Sequence, residues 1–156
     1  MTASSEIRLT LEPNDEAPAC QAVCALLRDH NWNANPELMQ LLTSPKPKDP
    51  INLIAWSEQA VVGGLLGYTQ RKWLRIDILA VAPDHRQRGI GTSLMREAER
   101  LARLRGCCYG YVDTLEHQAP GFYLRFGYQS SGEIKDWDSR GNAKYFLTRR
   151  IAPDSG

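Results

Sequence analysis

The chain has 156 residues and a formal net charge of +1, with 24% charged and 42% hydrophobic residues. That length suits a single domain, residues 1–156, with a core of its own. The balance excludes a disordered chain, a bilayer-spanning one and a global field that would draw the protein to nucleic acid.

Residues 1–6 lack a basic stretch followed by an apolar one, so no secretory leader is expected and the cytoplasm is the expected compartment. Ile7, Leu9 and Leu11 alternate with polar residues ahead of Pro13, which predicts a first strand over residues 7–11. Asp15 is a candidate cap for a helix reaching residue 30, with Ala19, Val23, Leu26 and Leu27 on its apolar face. Cys20 and Cys24 share that helix and read as small packing residues. The paired knuckles of a structural zinc site are missing, so no metal is expected and the cysteines are expected to be reduced. Pro36 opens a short second helix over residues 37–42. Pro45, Pro47 and Pro50 then impose a stiff loop.

Residues 51–57 and 60–70 read as a hairpin turning near Glu58 and Gln59. Gly63 and Gly64 weaken its second strand and suggest a bulge or a close backbone approach. Residues 73–81 form the next strand, closed by Pro83. Arg86-Gln87-Arg88-Gly89-Ile90-Gly91 follows, and a helix over residues 92–105 comes after it. A strand feeding a glycine turn that opens a helix is an anion cradle. The first helical N–H groups have no internal partner, and the helix dipole adds positive charge there. Gly89 and Gly91 would let a diphosphate approach the backbone, and Arg86 and Arg88 add forked donors. Neither G-x-x-x-x-G-K-[ST] nor G-x-G-x-x-G is present, so neither a P-loop nor a Rossmann site is supported.

Leu94, Ala98, Leu101 and Ala102 form the buried stripe of that helix. Arg96, Arg100, Arg103 and Arg105 read as its solvated face, with Glu99 and Arg103 paired one turn apart. Gly106 supplies a left-handed stop. Residues 107–112 read as a strand, 118–126 as a short helix ending at Gly127, and Tyr128 as the start of another strand. A last strand covers residues 144–149, after a turn at Ser139, Arg140, Gly141 and Asn142. Mixed strands and helices in this order suit an α+β domain.

With Ala119-Pro120-Gly121-Phe122-Tyr123-Leu124-Arg125-Phe126-Gly127-Tyr128, the cradle resembles the GNAT superfamily of acetyl-CoA-dependent N-acetyltransferases. There [QR]-x-x-G-x-[GA] is followed by A-x-x-F-Y-x-x-x-G-[FY], and both order and separation fit over residues 53–147. Asp113, Thr114, Gln118 and Ala119 are similar to a D-T-x-x-x-Q-A element of stand-alone bacterial members. The resemblance implies a twisted, mixed, mostly antiparallel sheet of six to seven strands with helices on both faces. It implies acetyl-CoA as co-substrate and a small-molecule or protein amine as acceptor. Neither membrane nor nucleic acid is expected as a partner, and a homodimer is left open.

In that scheme Leu79, Ala80 and Val81 supply backbone hydrogen bonds to the pantetheine arm, where the strand splays from its neighbour. Residues 86–92, from Arg86 to Thr92 through Gln87, Arg88, Gly89, Ile90 and Gly91, hold the diphosphate. Tyr123 falls on the tyrosine of F-Y and is the candidate general acid. A phenol titrates near 10 and a thiol near 8.5, so it can donate to a departing thiolate. Asp77, Asp113 and Glu116 are candidate general bases, with a water chain as the alternative. Glu116 stands where the family usually has an asparagine. Cys107 and Cys108 lack an adjacent activating base, which favours direct transfer in a ternary complex over an acyl-cysteine intermediate. The competing reading is a non-catalytic acyl-CoA-binding sensor on the same fold, which has no use for a phenol at the thioester.

Overall fold

The computed structural model describes residues 7–44 and 46–152. It divides into two compact units, residues 1–45 and 46–156.

The first unit holds two helices, α1 (Pro18–Ala34) and α2 (Pro36–Thr43). Asp15 does not cap α1. Ala17 is the cap residue, in extended conformation with ψ 145°, because Pro18 restricts the residue before it and then takes the first helical position. Asn35 caps α2 through its side chain, which accepts from the Leu38 N–H at 3.0 Å. The strand expected over residues 7–11 is absent. Ile7, Leu9 and Leu11 are 87–93% exposed, and no described strand pairs with them. Alternation alone does not make a strand without a ladder to join. Cys24 is exposed rather than packed, and α1 has no buried residue.

The second unit is a six-stranded sheet in the order β1-β2-β3-β4-β6-β5. Its strands are β1 (Asp49–Ser57), β2 (Ala60–Gln70), β3 (Trp73–Val81), β4 (Tyr109–Leu115), β5 (Gln129–Ile134) and β6 (Lys144–Arg150). Only β3 and β4 run parallel. Between them lies the crossover helix α3 (Ile90–Leu104), and α4 (Pro120–Phe126) follows β4. Leu94, Met95, Ala98 and Ala102 of α3 and Tyr123 of α4 join Leu65, Leu74, Ile76, Val112 and Leu147 in one core. Glu99, on the same helix, is 4% exposed and meets Arg149 at 3.3 Å.

The helix α3 ends in a Schellman motif. Gly106, at φ 82°, donates to the Arg103 carbonyl, and Cys107 donates to that of Ala102. This cap uses Cys107 and so delays β4 to Tyr109, two residues later than the pattern suggested.

Of the three register shifts among the described residues, two lie in the β1-β2-β3 half of the sheet and one between β5 and β6. Beside Gly63, β1 and β2 slip register at Ala55, where the glycine pair was expected to disturb the strand. In β3 the partners step from Leu66–Ile78 to Gly67–Ile76, which leaves Asp77 as an extra residue. A Cβ at Gly67 would collide with the Arg75 carbonyl oxygen, so the bulge requires glycine opposite it. The bulge also changes the strand's phase. Leu74 and Ile76 are buried before it, whereas Leu79 and Val81 take the half-buried side after it and Ile78 and Ala80 are exposed.

Candidate active site

Strands β3 and β4 pair only from Trp73–Tyr109 to Ile76–Val112. Beyond that point β3 continues on β2, with Leu79 opposite Leu65, while β4 continues on β6, with Asp113 opposite Phe146. The two strands therefore part and leave a wedge at the centre of the sheet.

The register decides which backbone groups face the wedge. Ala82 donates to the Val62 carbonyl at 2.8 Å. Opposed residues in an antiparallel ladder alternate between exchanging hydrogen bonds and turning away. In the same register Ala80 exchanges bonds with Gly64 and Ile78 with Leu66, whereas Leu79 and Val81 turn their N–H and C=O groups away from β2. The Val81 carbonyl confirms the direction, because it accepts from Arg86 Nε at 3.1 Å. Ala80 was expected among the wedge donors, but its backbone is committed to β2.

The turn after β3 starts with a 3₁₀ segment, Pro83–His85. Gln87 and Gly89 then take left-handed conformations at φ 59° and 78°. Gly89 is the cap residue of α3, with open space where a Cβ would stand. Among the described residues, no backbone acceptor meets the N–H groups of residues 87–92. They are the donors of a ready anion cradle. Gly91 has a different reason from the one expected. A Cβ there would lie 3.3 Å from the Phe122 ring, so this glycine seats α4 against the start of α3. Arg86 reaches the wedge, whereas Arg88 lines a separate cavity beside β1 with Leu53 and Glu97.

Tyr123 is 7% exposed, with its ring edge-on to Phe122 and Tyr128 at 5.3 and 6.2 Å. Burial raises its pKa above the ordinary phenol value. The hydroxyl of Tyr128 is sealed among buried atoms; that of Tyr123 is not.

The three carboxylates separate clearly. Asp113 takes Arg75 Nη2 at 2.6 Å, Lys144 Nζ at 3.1 Å and the Tyr111 hydroxyl at 3.2 Å. Burial alone would raise its pKa, but Lys144 and Arg75 outweigh it and hold it below the usual value. A carboxylate so stabilised is a poor proton acceptor. Glu116 is exposed, and its Oε2 accepts from the Ala143 N–H at 3.1 Å, which ties the chain ahead of β6. Asp77 stands on the bulge where the strands part, about half exposed, with Arg75 Nε at 2.9 Å. His117 is exposed. The four cysteines are free, and Cys107 is buried with its pKa raised by burial first and the neighbouring Cys108 second. Among the described residues no group of three or more His, Cys, Asp or Glu is placed to hold a metal ion, and no helix is long and apolar enough to cross a membrane.

A central wedge with free backbone donors, opening onto an anion cradle, suits an extended ligand arm that ends in a diphosphate. A family model described as "Acetyltransferase (GNAT) family" matches residues 20–128. Blasticidin-S acetyltransferase from Streptomyces morookaense is 36% identical over 117 residues, covering 71% of this chain and 86% of that protein. The crystal structure of an acetyltransferase from Bacillus cereus superposes with a TM-score of 0.68 at 26% identity, covering 90% of this chain and 97% of that one. Aminoglycoside 6'-N-acetyltransferase complexed with coenzyme A shares the fold, with a TM-score of 0.63 at 18% identity and cover of 94% and 98%. The chain belongs to the GNAT family and is an N-acetyltransferase.

Two features of the site escaped the sequence pattern. The bulge at Asp77 has a trace only in Gly67, an isolated glycine in an apolar strand. Arg96 is exposed, as the solvated helix face predicts, but the pattern did not show that it also lines a cleft between α3 and α4.

Proposed function

We propose that the protein transfers the acetyl group of acetyl-CoA to the primary amine of a small molecule, by direct attack in a ternary complex. The parting of β3 from β4 carries this reading, because it frees backbone donors at Leu79 and Val81 without leaving a strand end. The Leu79 N–H polarises the thioester carbonyl, and the Val81 backbone aligns the arm behind it. The N–H groups of residues 88–92 receive the diphosphate at the start of α3, with Arg86 beside them. Tyr123 stays protonated across neutral pH and gives its proton to the sulfur as the C–S bond breaks. Asp77, alone or through water, takes the proton the ammonium must lose before its nitrogen attacks. The small-molecule acceptor is supported by blasticidin-S acetyltransferase, whose name states its substrate.

The test is thiol release from acetyl-CoA across a pool of amines, followed by kinetics with one accepted amine. Tyr123→Phe keeps the ring and its packing and is expected to lower kcat by about 10²–10⁴. Donor affinity should change little, since the phenol acts as charge develops on sulfur. Unchanged turnover would remove Tyr123 from the mechanism. Binding of acetyl-CoA without thiol release from any amine would identify a sensor instead.

A further inference from the structure

Arg75 stands on β3 opposite Tyr111, one residue before the last pair of the β3–β4 seam, Ile76–Val112. Its guanidinium is engaged on two edges and one face. Nε donates to Asp77 Oδ1 at 2.9 Å, and Nη2 donates to Asp113 Oδ2 at 2.6 Å. The flat face lies over the Tyr111 ring, with Cζ 4.3 Å from the centroid. Tyr111 closes the arrangement, because its hydroxyl donates to the same Asp113 oxygen at 3.2 Å. Lys144 holds the other oxygen of Asp113 from β6 at 3.1 Å. Both oxygens of Asp113 are thus occupied. Asp77 differs. It is bound at Oδ1 alone, and among the described residues nothing donates to Oδ2. Its side chain is 47% exposed, against 20% for that of Asp113. It is also the extra residue of the bulge, two positions before Leu79.

An exposed aspartate turns about two side-chain torsions unless a neighbour fixes them. A hydrogen bond to one oxygen fixes the carboxylate and leaves the other oxygen to accept a proton. We propose that Arg75 is a positioning residue for acetyl transfer, which holds the Asp77 carboxylate at the fork with Oδ2 free for the ammonium of the acceptor. This rests on Asp77 as the proton acceptor, as proposed above, and adds a residue that acts only through it. The forked shape is what the role needs. A lysine supplies the charge, but one ammonium does not direct separate donors at Asp77 and Asp113 while lying flat on a ring. The rival role is a brace between the parting strands. Loss of a brace would disturb the backbones of Leu79 and Val81, and with them the affinity for acetyl-CoA.

The experiment measures kcat and KM with one accepted amine, and acetyl-CoA binding by calorimetry, in Arg75→Lys, Asp77→Asn, Asp77→Glu and the double variant Arg75→Lys with Asp77→Asn. Arg75→Lys is expected to lower kcat by about ten- to a hundredfold, as a displaced catalytic group does, with acetyl-CoA affinity kept. The double variant should turn over within about twofold of Asp77→Asn alone, because the arginine then has nothing to position. Asp77→Glu alters only a half-exposed side chain and keeps the carboxylate, but carries it one methylene away from Nε. It should lose kcat as Arg75→Lys does, and it tests the positioning even where a change at Arg75 harms folding. Full turnover in Arg75→Lys or in Asp77→Glu would overturn the proposal. So would an acetyl-CoA affinity that falls in step with kcat, which is the sign of a brace. If Asp77→Asn is slow but the two losses multiply in the double variant, the positioning role fails and Asp77 stands as the base. If Asp77→Asn turns over normally, the base assignment fails and the role of Arg75 fails with it.

Discussion

Asp113 shows how a carboxylate in the right region is disqualified by its neighbours. Arg75 and Lys144 approach it from β3 and β6, and each is about as sheltered as the carboxylate itself. The pKa is lower in the folded chain than in the unfolded one, despite the opposing effect of burial. Its contribution to stability is therefore complete above the unfolded value, about 3.9, and is lost as pH falls through the lower folded one. Asp113→Asn is expected to destabilise the protein at neutral pH by roughly 1–2 kcal/mol, since it leaves two cations facing a neutral amide. It should also flatten the acid side of the stability curve. Urea titrations of wild type and variant from pH 7 down to pH 3 check both; parallel curves would show that the pair contributes nothing. Turnover should survive in folded Asp113→Asn, whereas Asp77→Asn should lower it. At this scale the sequence identified the candidates but could not rank them, because Lys144 lies on a strand whose place beside β4 is set by topology.

At the scale of elements, β3 is the part whose role depends most on one irregularity. Its segment carries apolar residues on both phases, with Leu74, Ile76 and Ile78 on one and Leu79 and Val81 on the other. Alternation therefore predicted a strand over the right residues without revealing that the phase changes within it. Gly67→Ala places a Cβ against the Arg75 carbonyl and should cost about 1–3 kcal/mol, as overpacking does. If the bulge relaxes to relieve the collision, Leu79 and Val81 rotate their backbones and acetyl-CoA affinity falls more than stability does. Melting curves with and without acetyl-CoA separate the two effects, and an undiminished ligand shift would show that the bulge is not needed for binding. The cradle was more legible, since Gly89 needs its left-handed conformation for a local reason. The reason for Gly91 was hidden because Phe122 reaches it from another element.

For the molecule as a whole, a net charge of +1 conceals an uneven distribution. Arg86, Arg96 and Arg125 belong to the wedge and the neighbouring cleft, while Arg75, Arg103 and Arg149 are spent on carboxylates. Composition gives the small net charge but says nothing of this local excess. The order of the first four sheet strands follows the chain; the exchange that sets β6 between β4 and β5 does not. That exchange gives β4 an antiparallel neighbour to follow when it leaves β3, and no local pattern announces it. Residues 7–11 fail as a strand for the complementary reason, since alternation was present and, among the described residues, a partner was not.

The sheet is thus two antiparallel blades, β1-β2-β3 and β4-β6-β5, joined by a seam only four residue pairs long. We expect such a seam to act as a pivot, and a ligand lying beyond it to act as a splint between the blades. Amide exchange should read this directly. Without ligand, Ile78 and Ala80 should exchange slowly and Leu79 and Val81 quickly, although all four lie in one strand. Coenzyme A should slow Leu79 and Val81 selectively, and uniform protection along residues 78–81 before its addition would rule out the pivot. A splint of this kind would make the donor part of the architecture, so that the amine would meet a sheet whose two halves the donor had already locked in register.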